Sequence, residues 1–230
     1  VVGGSGGAGA STLAAALATT AVRGGSRALL LDLDPWGGGI DLLVGAEERS
    51  GLRWPDLSRA TGRLNGQGLR DALPTVDGLP VLTWDRSDAT EVGYEAARGV
   101  VDAAVASSEL VVVDLPRAGG DPAGYACSRA DALVLVVPAE VRAVVAARRV
   151  LATYRPFVDD VGVVVRTPSP SGLVGREVAD SLGVPLLTEL RSERAVAAAA
   201  DRGEPPSARR RGALHDACVD LLDRSAPAGR

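Results

Sequence analysis

Two sets of residues in this chain have types and spacing suited to chemistry. The first is the opening stretch Val1-Val2-Gly3-Gly4-Ser5-Gly6-Gly7-Ala8-Gly9-Ala10-Ser11-Thr12. Glycines at positions 4, 6, 7 and 9 let the backbone take left-handed angles and come close to a ligand. Successive N–H groups and the positive end of a following helix dipole then converge on an anion. Such a cradle asks for a nucleotide or another phosphate. The second set is a group of acids that end apolar runs. Asp32 and Asp34 follow Ala28-Leu29-Leu30-Leu31, and Asp114 follows Leu110-Val111-Val112-Val113. Continuous apolar runs read as strands buried on both faces, and open α/β sheets bind ligands at the carboxyl ends of such strands.

Gly4-x-x-x-x-Gly9 followed by Ser11 has the spacing of a P-loop, G-x-x-x-x-G-K-[ST], with Ala10 in the lysine slot. The cradle is kept and the cation is lost. The same residues also spell Gly4-x-Gly6-x-x-Gly9, a dinucleotide fingerprint, with Asp32 and Asp34 placed about 20 residues on, where a ribose ligand is expected.

The elements that must position these residues alternate between strand and helix. Two valines end a first strand, and Ser11-Thr12 open an alanine- and leucine-rich helix to about residue 22, stopped by Gly24-Gly25. Further strands are expected over residues 27–34, 79–84, 109–116, 132–138 and 161–166, with a short one at 185–187. Helices are expected over 91–107, 141–153, 173–182, 193–202 and 208–223, with shorter ones starting at Trp54 and covering 64–73. Residues 40–45 read as a loop or short helix, and the stretch between Pro116 and Ala132 as a glycine-rich loop. Gly37, Gly38 and Gly39, beside two carboxylates, mark a movable segment. The alternation implies right-handed crossovers and an α/β fold, a mainly parallel sheet with helices on both faces.

With 230 residues, 46% of them hydrophobic, the chain can bury a full core and fits one domain over residues 1–230. It has no methionine and two residues of strand before the glycine loop, so an upstream region is expected to be missing. Cys127 and Cys218 form neither a disulfide framework nor a metal pattern, which suits a reducing cytoplasm. His215 is the single histidine, so no histidine catalysis or histidine metal site is expected. No apolar run approaches a bilayer-spanning length. A net charge of −4 argues against a whole-surface nucleic-acid binder. Arg209-Arg210-Arg211 read as a solvated triplet, and Leu214, Cys218, Leu221 and Leu222 as the core face of the last helix. All 25 basic residues are arginine, so codon bias would have left arginine at position 10; alanine there means the charge was lost, not exchanged.

Together these stretches resemble the deviant Walker-motif ATPases of the ParA/MinD family over nearly the whole chain. Gly6-Gly7-Ala8-Gly9-Ala10-Ser11-Thr12 sits where that family has G-G-x-G-K-[ST]-[ST], and Leu30-Leu31-Asp32-Leu33-Asp34-Pro35 looks like its D-x-D-P switch strand. Val111-Val112-Val113-Asp114-Leu115-Pro116 looks like its Walker B strand, and Val137-Pro138-Ala139-Glu140 and Gly203-Glu204-Pro205 look like two further signatures. Asp32-Leu33-Asp34-Pro35-Trp36, Leu52-Arg53-Trp54-Pro55-Asp56-Leu57 and Val163-Val164-Val165-Arg166-Thr167-Pro168 are most similar to the CpaE/TadZ-like branch, septum-site-determining proteins linked to pilus or secretion loci.

The resemblance implies a P-loop NTPase fold in which Gly6, Gly7, Ala8, Gly9, Ala10, Ser11 and Thr12 bind nucleotide. It further implies that Ser11, Asp32 and Asp114 serve Mg²⁺ and that Asp34 orients the attacking water. The competing readings are Ser11 as a helix cap, Asp114 as a loop cap, and Asp32 and Asp34 as solvated carboxylates, with the strand-end position of Asp114 favouring the metal role. Arg117 is near enough in sequence to supply a missing cation, but as a surface arginine it needs no further explanation. The family's signature lysine is replaced by Ser5, its P-loop lysine by Ala10, and its base-reading asparagine by Arg166-Thr167. The expectation is a pseudo-ATPase with a degenerate Walker A loop that binds Mg-ATP weakly or not at all. A homodimer across the face of Gly6, Asp34 and Asp114, and partners in cell-division or pilus and secretion machinery, are also expected. The site of action would be cytoplasmic, or peripheral at a membrane or septum through partners. The alternatives are an active ATP-switched dimer and an NAD(P)-dependent oxidoreductase.

Overall fold

A strand buried on both faces must present apolar side chains in both directions, and the runs around Leu30, Val112, Leu135 and Val164 do so. The computed structural model describes residues 1–60, 62–85, 92–168, 172–200, 202, 204–206 and 211–225. Its elements are β1 (Val2–Gly3), α1 (Ala10–Arg23), β2 (Ala28–Asp32), α2 (Ile40–Val44), α3 (Trp54–Leu57), α4 (Gly66–Ala72), β3 (Thr75–Val76) and β4 (Leu79–Leu82). They continue with α5 (Tyr94–Ser107), β5 (Leu110–Asp114), α6 (Asp121–Ser128), β6 (Leu133–Pro138), α7 (Val141–Tyr154), β7 (Val161–Thr167), α8 (Gly175–Leu182), β8 (Leu186–Arg191), α9 (Arg194–Ala200) and α10 (Ala213–Ser225).

Strands pair in the orders β3-β4-β2-β5 and β1-β6-β7-β8. The two sets meet where Leu115 N donates to the Val1 carbonyl at 2.9 Å and Val2 bridges Leu115 in parallel. β1 therefore lies between β5 and β6, and every pairing is parallel except β3 with β4. Side chains alternate between two cores. Leu29, Leu31, Leu135 and Val163 meet Val100, Ala126, Ala147 and Val178 of α5 to α8. Leu30, Val112, Val136 and Val164 meet Leu13 and Leu17 of α1 and Leu214, Cys218 and Leu221 of α10. This is the expected α/β architecture with helices on both faces. Among the described residues no helix is long and apolar enough to cross a membrane.

Three elements depart from the sequence expectation. The stretch after Pro116 contains α6, whose start at Asp121-Pro122 is concealed by Gly119, Gly120 and Gly124; proline in the first helical turn marks a helix start rather than a break. β8 runs to Arg191, beyond the apolar Leu186-Leu187, because an edge strand can carry Thr188, Glu189 and Arg191. The hairpin of β3 and β4 turns on Asp77 and Gly78, with φ of 49° and 84°, the left-handed pair that an Asp-Gly dipeptide favours. The expected start of the last helix, residues 208–210, lies outside the described residues.

Trp54 locks the loop-rich region after α2 onto β2. It is fully buried, its indole N–H donates to the carbonyl of Asp32, and its ring lies 5.8 Å from that of Trp84. Its backbone N–H donates to Thr83 O at 3.0 Å. Deleting a buried indole costs about 3–5 kcal/mol. Urea unfolding of Trp54→Ala should show a loss in that range; a loss below about 1 kcal/mol, the scale of a surface change, would contradict the anchoring role.

Candidate nucleotide site

The glycine loop leaves β1 in the middle of the sheet. Gly4 N donates to Val136 O at 2.8 Å, and a Cβ on Gly4 would stand 2.7 Å from Ala147 Cβ and 2.8 Å from Val137 Cγ2. Only glycine passes between β6 and α7 there. The chain then turns through Ala8 N to Ser5 O at 3.3 Å, with Gly7 and Gly9 at φ of 67° and 93°. Gly6 and Gly7 are exposed, and nothing lies within 4 Å of a Cβ placed on Gly7. α1 begins at Ala10 with no side-chain cap and no acid in its first turn, so its leading N–H groups point at the loop mouth. Residues 6–12 thus form an exposed glycine turn that opens onto the start of α1.

Strand register brings the acids beneath this cradle. Asp32 and Asp114 are directly paired across β2 and β5, and both are buried. The Ser11 hydroxyl hydrogen-bonds Asp114, joining the helix start to the tip of β5. Asp32 Oδ1 accepts from Asp34 N at 3.0 Å, while its Oδ2 accepts from Ile40 N at 3.3 Å and from the Thr83 hydroxyl at 3.1 Å. Asp34 lies past the strand end, half-buried, with Oδ1 accepting from Trp36 N at 3.1 Å. Ser11, Asp34 and Asp114 are therefore gathered at the carboxyl ends of β2 and β5 beside the glycine loop. Asp32 is 2% exposed and has both oxygens engaged.

A hydroxyl and one accessible carboxylate are hard oxygen donors suited to Mg²⁺, which takes one or two carboxylates and fills its remaining positions with phosphate oxygens and water. Among the described residues no three of His, Cys, Asp and Glu cluster as a self-sufficient metal cage. The donors present fit a metal that arrives with a nucleotide.

Sequence reasoning missed three contributors. Thr83 donates its hydroxyl to the Asp32 carboxylate and Trp54 its indole N–H to the Asp32 carbonyl; Thr83 follows no motif, and Trp54 stands in the stretch 52–57, which its family likeness and helix-start position mark without showing this contact. Arg166, read only as a departure from a base-reading residue, donates Nη1 to Gly7 O at 3.0 Å. The signal for it is a charged residue at the carboxyl end of a buried strand. Exposed Arg117 brings Nη2 to 3.9 Å from the Cβ position of Gly6.

Burial raises the Asp32 carboxyl to about 7, with the nearby Asp114 charge adding to the effect and the three hydrogen bonds opposing it. Asp114 is raised to about 6, again chiefly by burial; the Ser11 hydroxyl and the amino-terminal charge oppose this and Asp34 adds to it. An unfolded aspartate titrates near about 3.9, so between the two values the folded chain holds more protons than the unfolded one. The associated stability is complete below the unfolded value and is lost as pH rises through about 7. The contribution of these two groups to the melting temperature should accordingly fall between about pH 4 and about pH 7, and Asp32→Asn should flatten the fall. An unchanged slope in Asp32→Asn would contradict the assignment.

The model of the CobQ/CobB/MinD/ParA nucleotide binding domain matches residues 1–206. Two Mycobacterium tuberculosis proteins of uncharacterized role, MT3760 and Rv3660c, are each 47% identical to the chain over 207 residues, covering 88% of it. The chain spans 57% of the length of these relatives. Among solved structures it is similar to a ParA family ATPase from Chlorobium tepidum, with a TM-score of 0.82, 18% identity and coverage of 96% and 95% of the two chains. It is also similar to the septum site-determining protein MinD complexed with Mg-ADP from Pyrococcus horikoshii, at 0.79, 16%, and 98% and 95%. The MinD cell division protein of Aquifex aeolicus gives 0.77, 22%, and 100% and 98%. With a matched glycine loop, a parallel sheet and acid-tipped strands, the chain belongs to the CobQ/CobB/MinD/ParA nucleotide-binding family.

Proposed function

We propose that this chain is a localisation or scaffold domain of the CpaE/MinD type. In this reading it serves septum placement or a pilus or secretion apparatus, binds nucleotide weakly through residues 6–12, and turns it over near background. The observation that carries the reading is the assembled cradle with Ala10 where the cation belongs. Ser11 on Asp114 supports Mg²⁺ held with the nucleotide, and the Mg-ADP of the Pyrococcus horikoshii relative supports the ligand class. Asp32, engaged by three donors, acts as the post on which Asp34 and the start of α2 are hung. A homodimer across the face of Gly6, Asp34 and Asp114 and partners in the same machinery belong to this proposal. The retained Asp34, Asp114 and Ser11 favour a second reading, an active ATP-switched dimer. A dinucleotide enzyme is less well supported, since of its two candidate ribose acids Asp32 is closed off and only Asp34 stays accessible.

When bound, Mg²⁺ would supply charge neutralisation at the phosphate oxygens. The chain's own part is to hold phosphates on backbone N–H groups of the loop and to fix Asp34 through its bonds to Asp32 and Trp36. A missing preorganised donor typically costs roughly 10²–10³ in rate. Purified protein should therefore hydrolyse ATP well below about 1 s⁻¹, the low end of ordinary turnover. Ala10→Lys should tighten ATP binding about 10- to 100-fold, the worth of one charge-assisted contact. Turnover of about 1 s⁻¹ or more, abolished by Asp34→Ala, would favour the active dimer. Calorimetry showing no ATP binding by either the wild type or Ala10→Lys would overturn the nucleotide reading.

A further inference from the structure

We infer that Arg166 and Arg117 form a substitute cation pair for the phosphates of a nucleoside di- or triphosphate, taking over from outside the loop the charge that the loop has lost. The inference rests on the nucleotide reading above and deepens it. A chain without lysine that carries alanine at the P-loop cation position must find its positive charge elsewhere or bind phosphate on backbone dipoles alone. Two guanidinium groups reach the loop from different parts of the chain, Arg166 from the end of β7 and Arg117 from the turn after β5. Arg166 Nη1 donates to Gly7 O at 3.0 Å and lies 3.3 Å from the Cβ position of Gly9, so it sits directly over the two left-handed glycines. Arg117 Nη2 stands 3.9 Å from the Cβ position of Gly6, on the β5 side.

Both backbones are held firmly, so only the side chains need to move. Arg166 pairs with Pro138 and Leu190 in the sheet and accepts from Ala139 N at 3.0 Å. Arg117 follows Pro116, whose carbonyl accepts from the buried Tyr154 hydroxyl. Among the described residues neither arginine is ion-paired with a carboxylate. A guanidinium keeps its charge at any working pH and offers a planar fork of N–H donors that matches phosphate oxygens. Arg166 spends one of those donors on Gly7 and retains the others. Gly6 and Gly7 add no side chain between the two groups, and nothing lies within 4 Å of the Gly7 Cβ position, which leaves the space between the arginines open to an anion. The same site carries Asp34 and Asp114, so a polyphosphate arriving without added positive charge would meet only repulsion from side chains.

The test is calorimetric titration of the full chain with Mg·ADP, inorganic pyrophosphate and adenosine, for the wild type, Arg166→Gln, Arg117→Gln, the double variant and Arg166→Lys. Thermal melting of each variant checks that it is folded. The expected result is weakening of ADP and pyrophosphate by about 10-fold or more for Arg166→Gln and about 100-fold for the double variant. Adenosine binding should be unchanged, and Arg166→Lys should recover part of the loss. If the wild type binds ADP and the glutamine variants bind it equally well, the cation pair is overturned and the nucleotide reading stands. If adenosine binding falls as far as ADP binding, Arg166 reads the base and the inference is likewise overturned. Failure of the wild type to bind any of the three overturns the nucleotide reading and the inference together.

Discussion

The hydrogen bonds between Leu115 and Val1, and between Val1 and Val113 at 2.9 and 2.7 Å, join two sets of strands into one sheet and put β1 at its centre. A chain that emerges between β5 and β6 cannot carry side chains into that crowded exit. Gly4, with no room for a Cβ beside Ala147 and Val137, is the consequence. The loop is thereby forced to turn immediately above the carboxyl ends of the strands, and α1 must start from Gly9 and run back across the sheet under α10. The alanines of α1 follow from the same constraint, because a helix packed between a sheet and a second helix is buried nearly all round. One placement of a short strand thus fixes the loop, the helix dipole and the position of Ser11.

Electrostatics supplies the second constraint. Register places Asp32 opposite Asp114 in a dry sheet, and their mutual repulsion and desolvation are offset by backbone N–H groups, two hydroxyls and proton uptake. In such an arrangement added positive charge lowers the free energy of the whole site. A loop cation would normally provide some of it. Here the loop has none, and the charges beside its glycines are the guanidinium groups of Arg166, at the end of β7, and Arg117, in the turn after β5. In the proposed function, nucleotide affinity and the protonation of the carboxylate pair belong to one charge balance, so that a change at either side is felt at the other.

Much of this was legible in the sequence, and the reasons are physical. Apolar runs ending in acids identify buried parallel strands, and with the glycine loop they locate the sheet edge at which Ser11, Asp34 and Asp114 meet. The register that sets Asp32 against Asp114 was not legible, because pairing between strands far apart in sequence is decided by packing and not by local pattern. The parts played by Thr83 and Trp54 were hidden for the same reason: both depend on contacts with Asp32 made only in the folded chain. α6 was masked by glycines whose turn-forming tendency was outweighed by burial of Ala123, Ala126 and Cys127 against the core. Arg166 was visible as a letter that broke the family pattern, but its reach to Gly7 depends on where β7 ends relative to the loop, which only the sheet order decides.

The claim at the centre of this account is that residues 6–12 remain a phosphate cradle although position 10 has no charge. The most direct test is a crystal structure of the chain grown with millimolar Mg·ADP. The account predicts the β-phosphate within hydrogen-bonding distance of the backbone N–H groups between Gly7 and Thr12, with Mg²⁺ at the Ser11 hydroxyl. Nucleotide bound elsewhere on the molecule, or a loop mouth without phosphate at that concentration, would contradict it.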